Sequence, residues 1–93
     1  MWETAALEWN ALLNRARSAL LEQEGLLGIL EDGQPPERRQ ALADWGATRR
    51  RFLHAYYRLA ELAGERSSAA PVELRLIVAR LEVAAQHLQA RYP

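Results

Sequence analysis

Asp32-Gly33-Gln34-Pro35-Pro36 interrupts a chain that is otherwise rich in helix-forming residues. Gly33 suits the left-handed conformation that follows a helix C-terminus, and Pro36 suits the first turn of the next helix. A second interruption covers residues 64–71, where Gly64 is placed to close a helix and Pro71 to open another. These two interruptions predict three helices, at about residues 3–31, 36–63 and 71–91.

Apolar residues recur at helical spacing in each predicted helix and form one core-facing stripe per helix. Three facing stripes predict an all-α fold, an antiparallel three-helix arrangement with two long helices, as one domain over residues 1–93. Gly25 and Gly28 mark a place where the first helix is expected to weaken. The stripes consist of Trp2, Ala5, Ala6, Trp9, Leu12, Leu13, Ala16, Ala19, Leu20, Leu26, Leu27 and Leu30, then Leu42, Trp45, Phe52, Leu53, Tyr56, Leu59, Ala60 and Ala63, then Leu74, Ile77, Val78, Leu81, Ala84, Ala85 and Leu88.

Composition excludes several classes of function. The chain has no cysteine, so disulfides, thiolate metal sites and cysteine nucleophiles are excluded. His54 and His87 lack the spacing of metal ligands, and no glycine-rich phosphate or dinucleotide motif occurs, so we expect no metal and no cofactor. No apolar run approaches the roughly 20 residues of a membrane span, and the N-terminus lacks a secretion-signal pattern. We therefore expect a cytoplasmic protein with no membrane contact.

Charge is distributed unevenly although the net charge is zero. Residues 1–33 carry six acidic side chains against two arginines, and residues 34–64 carry six arginines against three acidic side chains. An acidic segment followed by a basic one predicts that the first two helices lie side by side. Arg49 falls on the core side of the second helix, where a buried unpaired charge is costly, so we expect it either to extend its charged end to solvent or to pair with a carboxylate of the first helix, such as Glu8, Glu22 or Glu24.

Some apolar residues lie outside the core stripes, and they are most concentrated on the third helix. A contiguous second apolar row predicts contact with a second copy of the chain or with another protein, which would complete the core of so small a domain. The predicted partner-binding residues are Leu7, Leu21, Val72, Leu76, Ala79 and Val83.

The tract from Arg49 to Tyr57 (RRRFLHAYY) is the densest group of cations and aromatics in the chain. At 100° per residue, its apolar members point to the core and its basic members point away. Three interpretations of this outward patch are open: a solvated charged face, a protein-docking surface, or a surface for nucleic-acid phosphates with a tyrosine available for stacking. The patch consists of Arg50, Arg51, His54, Tyr57 and Arg58.

Arg49 followed after four residues by His54 is similar to the Arg-x4-6-His signature of HEPN ribonucleases, which are helical and act as dimers. The resemblance implies that Arg49 would stabilise phosphate charge and that His54 would serve in acid/base chemistry. In a straight helix the two side chains point about 140° apart.

Together these patterns favour a non-enzymatic helical protein-interaction module, acting as an adaptor, an export-type chaperone or an antiactivator that inhibits a regulator. Its size and helix plan resemble those of small bacterial flagellar and type III export chaperones or antiactivators. The expected partner is protein, either a helical client or a second copy in a homo-oligomer such as a homodimer. The alternative is a nucleic-acid-binding accessory protein that uses the arginine-rich face of the second helix, and the third hypothesis is an HEPN-like ribonuclease.

Overall fold

The computed structural model of the chain describes residues 2–65 and 72–92 and contains three helices there, with no strand. These are α1 (Trp2–Asp32), α2 (Pro35–Glu65) and α3 (Val72–Arg91). The predicted all-α fold with two long helices and a shorter third one is therefore confirmed, and the predicted bounds agree to within a few residues. The opening role predicted for Pro71 falls outside the described residues.

The turn between α1 and α2 depends on a close approach at Gly33. The Gly33 N–H donates to the Ile29 carbonyl at 2.7 Å, and a Cβ added at Gly33 would lie 2.5 Å from that oxygen. Because no described glycine has a positive φ, the predicted left-handed conformation is wrong. Glycine is needed here for space instead. α1 continues unbroken through Gly25 and Gly28, where the weakening was expected.

α1 and α2 pack along their length as an antiparallel pair, and α3 lies against both of them. α3 runs antiparallel to α2, since Tyr56 bonds Glu82 and Arg49, which lies nearer the start of α2, bonds Gln89. The resulting body measures 50 × 20 × 14 Å, so the two long helices form a hairpin with a third helix on one side.

The core confirms most of the predicted stripes. Gln23 and Thr48 are buried with the apolar residues, and Thr48 Oγ1 donates to the Trp45 carbonyl at 3.0 Å. Ala41, Ala55 and Leu62 join the core without having been predicted. The buried apolar side chains include Trp9, Trp45, Phe52 and Leu59, and α3 contributes Val78, Leu81, Ala85 and Leu88.

Some predicted core positions are wrong. Leu42 lies on the α2 row that faces α3, yet it is 51% exposed. Tyr92, just beyond the end of α3, lies beside Trp45, one turn away from Leu42. α3 therefore ends before it can cover Leu42. Ala84 is also exposed, while the half-buried positions are Ala6, Leu26, Leu53, Tyr56, Ala60 and Ile77. The side chains of Trp2, Ala5, Ala63 and Leu74 fall outside the description.

The predicted pairing of acidic and basic segments is confirmed by contacts between helices. Arg58 Nε lies 2.8 Å from Glu8 Oε1, and Arg51 pairs with Glu22. Arg49 does not join these pairs and is exposed, so of the two alternatives expected for it the carboxylate partner is wrong and the extension to solvent is found. Its guanidinium donates to Gln89 Oε1 at 3.4 Å because Arg49 faces α3 rather than α1.

Candidate functional site

Four residues form an exposed apolar row on α3, which we call the α3 row: Val72, Leu76, Ala79 and Val83. The three larger side chains are 60%, 55% and 49% exposed in chain order. Leu76, Ala79 and Val83 also line one shallow depression of about 280 Å³ together with Arg80. The predicted second stripe of α3 therefore lies on its surface as one continuous patch.

The α3 row points outward because the opposite face of α3 is buried against α1 and α2. Contacts at the sides of α3 fix its rotation. Tyr56 Oη donates to Glu82 Oε2 at 2.5 Å, and Arg91 pairs with Glu31 of α1 at 2.7 Å. The hydrogen bond to Glu82, with burial as a smaller cause, raises the pKa of Tyr56 to about 12. The rotation that exposes the row is thus held from both neighbouring helices.

The polar borders of the α3 row are cationic among the described side chains. Arg75 and Arg80 are exposed, and the structure shows no carboxylate bonded to either of them within the described ranges. Glu82 is half-buried and accepts the Tyr56 hydrogen bond, so its charge is directed towards α2. A partner with carboxylates beside an apolar stripe would complement these borders.

Leu7 and Leu21, the two predicted partner residues on α1, do not join the α3 row. They are 75% and 67% exposed. On the helical wheel they lie opposite the buried face of α1, and 14 residues of helix separate them by about 21 Å. The predicted partner-binding set therefore divides into one continuous row on α3 and two isolated leucines.

The predicted basic patch also divides. Arg51 and Arg58 are held in the ion pairs with α1, and Arg58 contacts Glu61 as well at 3.1 Å. These hydrogen bonds, first to Glu8 and then to Glu61, raise the pKa of Arg58 above its ordinary value. Arg50 and His54 form no ion pair with a described residue, and together with Arg51 they line an open space between α1 and α2.

This space is the central section of a long groove, which we call the interhelical groove, on the seam between α1 and α2. The central section has a volume of about 620 Å³. One neighbouring section, of about 510 Å³, also contains Arg15 and His54, and the other, of about 500 Å³, also contains Arg51. The central section is lined by Asn14, Arg15, Ser18, Arg50, Arg51, His54 and Ala55.

Arg15 is the charged residue of the central section that was not predicted from the sequence. The signal that would have found it is spacing, since Glu8, Arg15 and Glu22 follow one another at seven-residue intervals and share one face of α1. Tyr57 is 64% exposed and lines the section that contains Glu8. The patch predicted on α2 alone is therefore one wall of a groove with two walls.

Arg49 and His54, the pair that resembles the HEPN signature, point in different directions. Arg49 contacts Gln89 on α3, whereas His54 lines the interhelical groove with Arg15 of α1. Within one chain the two side chains do not converge on a common point.

Among the described residues no group of three or more metal-binding side chains occurs, and no described helix is long and apolar enough to cross a bilayer. No family model, curated protein or solved structure matches the chain.

Proposed function

We propose that this chain is a non-enzymatic helical protein-interaction module whose α3 row receives an amphipathic helix of a partner protein. The observation that carries the proposal is the α3 row itself. It places four apolar residues on consecutive turns of one helix, three of them large and about half-exposed and the fourth Ala79, and the rotation of that helix is fixed by Tyr56 and Glu82. Helix-on-helix recognition uses anchors at this spacing.

The apolar surface of the α3 row determines how much binding free energy it can contribute. Burying the exposed halves of Val72, Leu76 and Val83 contributes on the order of 1 kcal/mol each. A micromolar complex needs about 8 kcal/mol, so the row cannot account for such a complex alone. The arginine borders and adjacent surface must add to it, which favours a partner helix that spans all of α3.

Charge favours a different protein over a second copy. A symmetric pair of α3 helices centred near Ala79 would place Arg80 of each copy beside Arg80 of the other. Like charges at an interface cost free energy, whereas carboxylates on the partner would meet Arg75 and Arg80 favourably. An adaptor, an export-type chaperone and an antiactivator would each use such an acidic amphipathic client helix.

Nucleic-acid binding is the weaker alternative. Two cations of the predicted patch, Arg51 and Arg58, already neutralise carboxylates of α1. Phosphate binding would have to compete with these pairs.

A pair of double variants tests the proposal. Leu76→Asp with Val83→Asp places two charges in the α3 row, and Leu7→Asp with Leu21→Asp makes the same change at two more exposed positions outside it. We expect both to keep the helicity of the parent, measured by circular dichroism. Proteins from the native host that bind the parent and the α1 variant, but not the α3 variant, are then purified and their binding measured directly.

The outcomes separate the possibilities. Loss of a purified partner from the α3 variant alone supports a client-binding row. A parental dimer that becomes a monomer in the α3 variant would instead assign the row to self-association. Unfolding of the α3 variant would place Leu76 and Val83 in the core and contradict the proposal.

A further inference from the structure

The interhelical groove has an unbalanced positive charge at its centre. Three arginines and one histidine line the central section with no carboxylate among them, and because Arg51 is paired with Glu22, the unbalanced charge is that of Arg15 and Arg50. The neighbouring sections do contain carboxylates, Glu8 and Glu61 in one and Glu22 and Asp44 in the other. Along the seam, the charge is therefore positive at the centre and balanced or slightly negative towards both ends.

This centre interrupts a regular series of interhelical ion pairs. Glu8 pairs with Arg58 on one side and Glu22 with Arg51 on the other. Midway between these two glutamates, the same row of α1 presents Arg15, and the α2 residue that lines the same two sections is His54. Where the series would place a carboxylate, both helices instead present basic side chains, and Arg50 adds a further positive charge.

We propose that the interhelical groove binds a helix of a partner protein that carries carboxylates at its centre and apolar side chains towards its ends. The central carboxylates would supply the missing negative charge opposite Arg15, Arg50 and His54. This groove is separate from the α3 row, and the inference does not depend on the function proposed for that row.

The two ends of the groove determine which side chains the bound helix would carry near its own ends, and how long it would be. Ala11, Leu12 and Tyr57 line one end section, and Leu26 and Ile29 line the other. These side chains suit apolar anchors. The wall from Glu8 to Ile29 covers 21 residue steps of α1, about 31 Å, so a bound helix of about 20 residues would fill it.

Other occupants fit the charges less well. Two copies of the chain packed groove to groove with their centres aligned would bring Arg15 and Arg50 of one copy against the same two arginines of the other. A nucleic-acid strand would meet Arg15 and Arg50 at the centre, but its phosphates would then face the carboxylates of the end sections. A helix with acidic residues confined to its centre avoids both conflicts.

Two fluorescent probe peptides test the inference by anisotropy. Each is a helical peptide of about 20 residues with leucines on one face near both ends. One carries three central glutamates on that face, and its twin carries glutamines there. We expect the parent protein to bind the glutamate peptide at least about ten-fold more tightly than the glutamine peptide, with the difference shrinking at high salt.

Arg15→Glu is the decisive protein variant, and Arg17→Glu is its control. Arg17 is exposed on α1 and is not among the residues that line the groove, so its reversal changes net charge equally. We expect Arg15→Glu to lose the preference for the glutamate peptide and Arg17→Glu to keep it. Because Arg15→Glu removes a cation from the section that Arg50 lines and supplies a carboxylate there, its melting temperature should rise by about 1 to 4 °C.

Several results would overturn the inference: equal binding of the two peptides, an equal loss of preference in Arg17→Glu, or a dimer of the parent that Arg15→Glu separates. Competition by a single-stranded RNA oligonucleotide at low micromolar concentration would assign the groove to nucleic acid instead. The variant with Leu76→Asp and Val83→Asp should bind the glutamate peptide as the parent does, which keeps this test distinct from that of the α3 row.

Discussion

Replacing Tyr56 by phenylalanine tests whether α3 is held on α2 in the rotation that turns its apolar row outward. The change removes only the hydroxyl that donates to Glu82 at 2.5 Å. The ring stacked on Phe52, with centroids 5.9 Å apart and planes 8° from parallel, keeps its shape. Any loss of stability in Tyr56→Phe therefore reports on the hydrogen bond rather than on packing.

The expected loss is modest. A hydrogen bond to a charged group contributes roughly 1.5–3 kcal/mol when it is shielded from water. Because Tyr56 and Glu82 are both partly exposed, solvent screening reduces this, and we expect Tyr56→Phe to lower the free energy of unfolding by about 1 kcal/mol. Tyr57→Phe is the matched control, since Tyr57 is 64% exposed, and it should change stability by only a few tenths of a kcal/mol.

The pH dependence of the stability difference between the parent and Tyr56→Phe tests the same hydrogen bond independently. The pKa of Tyr56 is raised from 10.0 to about 12 in the folded chain, so folding favours its neutral form. The resulting stability is fully present below about pH 10 and is lost as the pH rises towards 12. In urea titrations followed by circular dichroism, the difference between the parent and Tyr56→Phe should be constant from pH 7 to 9 and shrink above 10.

Absorbance at 295 nm identifies the group. Of the three tyrosines, one should ionise near pH 12 in the folded parent, and this step should be missing in Tyr56→Phe. Equal stability of the two proteins at pH 7, together with the absence of any tyrosine that ionises near pH 12 in the folded parent, would refute the contact and with it the fixed rotation of α3.

Three further substitutions test the fold that positions the two surfaces. Gly33→Ala should lower the free energy of unfolding in urea by about 1–3 kcal/mol, because its Cβ would meet the Ile29 carbonyl, whereas Gly25→Ala, which has open space, should be neutral or stabilising. Gln23→Met should raise the melting temperature, since the buried Gln23 Nε2 has no hydrogen-bond partner among the described atoms; a fall would show that the amide is satisfied in solution. Leu59→Ala should cost about 2–5 kcal/mol in a urea titration as a fully buried core leucine, and a cost below 1 kcal/mol would contradict the packing of α2.

Helix number and pairing could be read from the sequence because local chemistry determines them. Glycine and proline at residues 33–36 stop one helix and start the next, and the acidic first segment predicted its basic neighbour. The core residue Trp9 followed from periodicity alone, since a stripe at helical spacing must be buried somewhere.

Features that depend on where helices end, or on the register between helices, could not be predicted from the sequence. Leu42 fits the helical period, but its burial depends on how far α3 reaches along α2, which no local pattern encodes. The groove wall formed by Arg15 depends on the register between α1 and α2, and so does the choice of Arg51 over Arg49 as the partner of Glu22. The register between two helices depends on the sum of many contacts, so rules that consider one residue at a time cannot predict it.

The central claim is that the α3 row contacts another protein, and photo-cross-linking from position 76 tests it most directly. A photoreactive phenylalanine derivative replaces Leu76 in one strain of the native host and Leu7, which is more exposed, in a control strain. We expect position 76 to yield a discrete adduct with a different protein, lost when Val83→Asp is added, and position 7 to yield none. An adduct from position 76 that contains only a second copy of this chain, or no adduct at all, would contradict the claim.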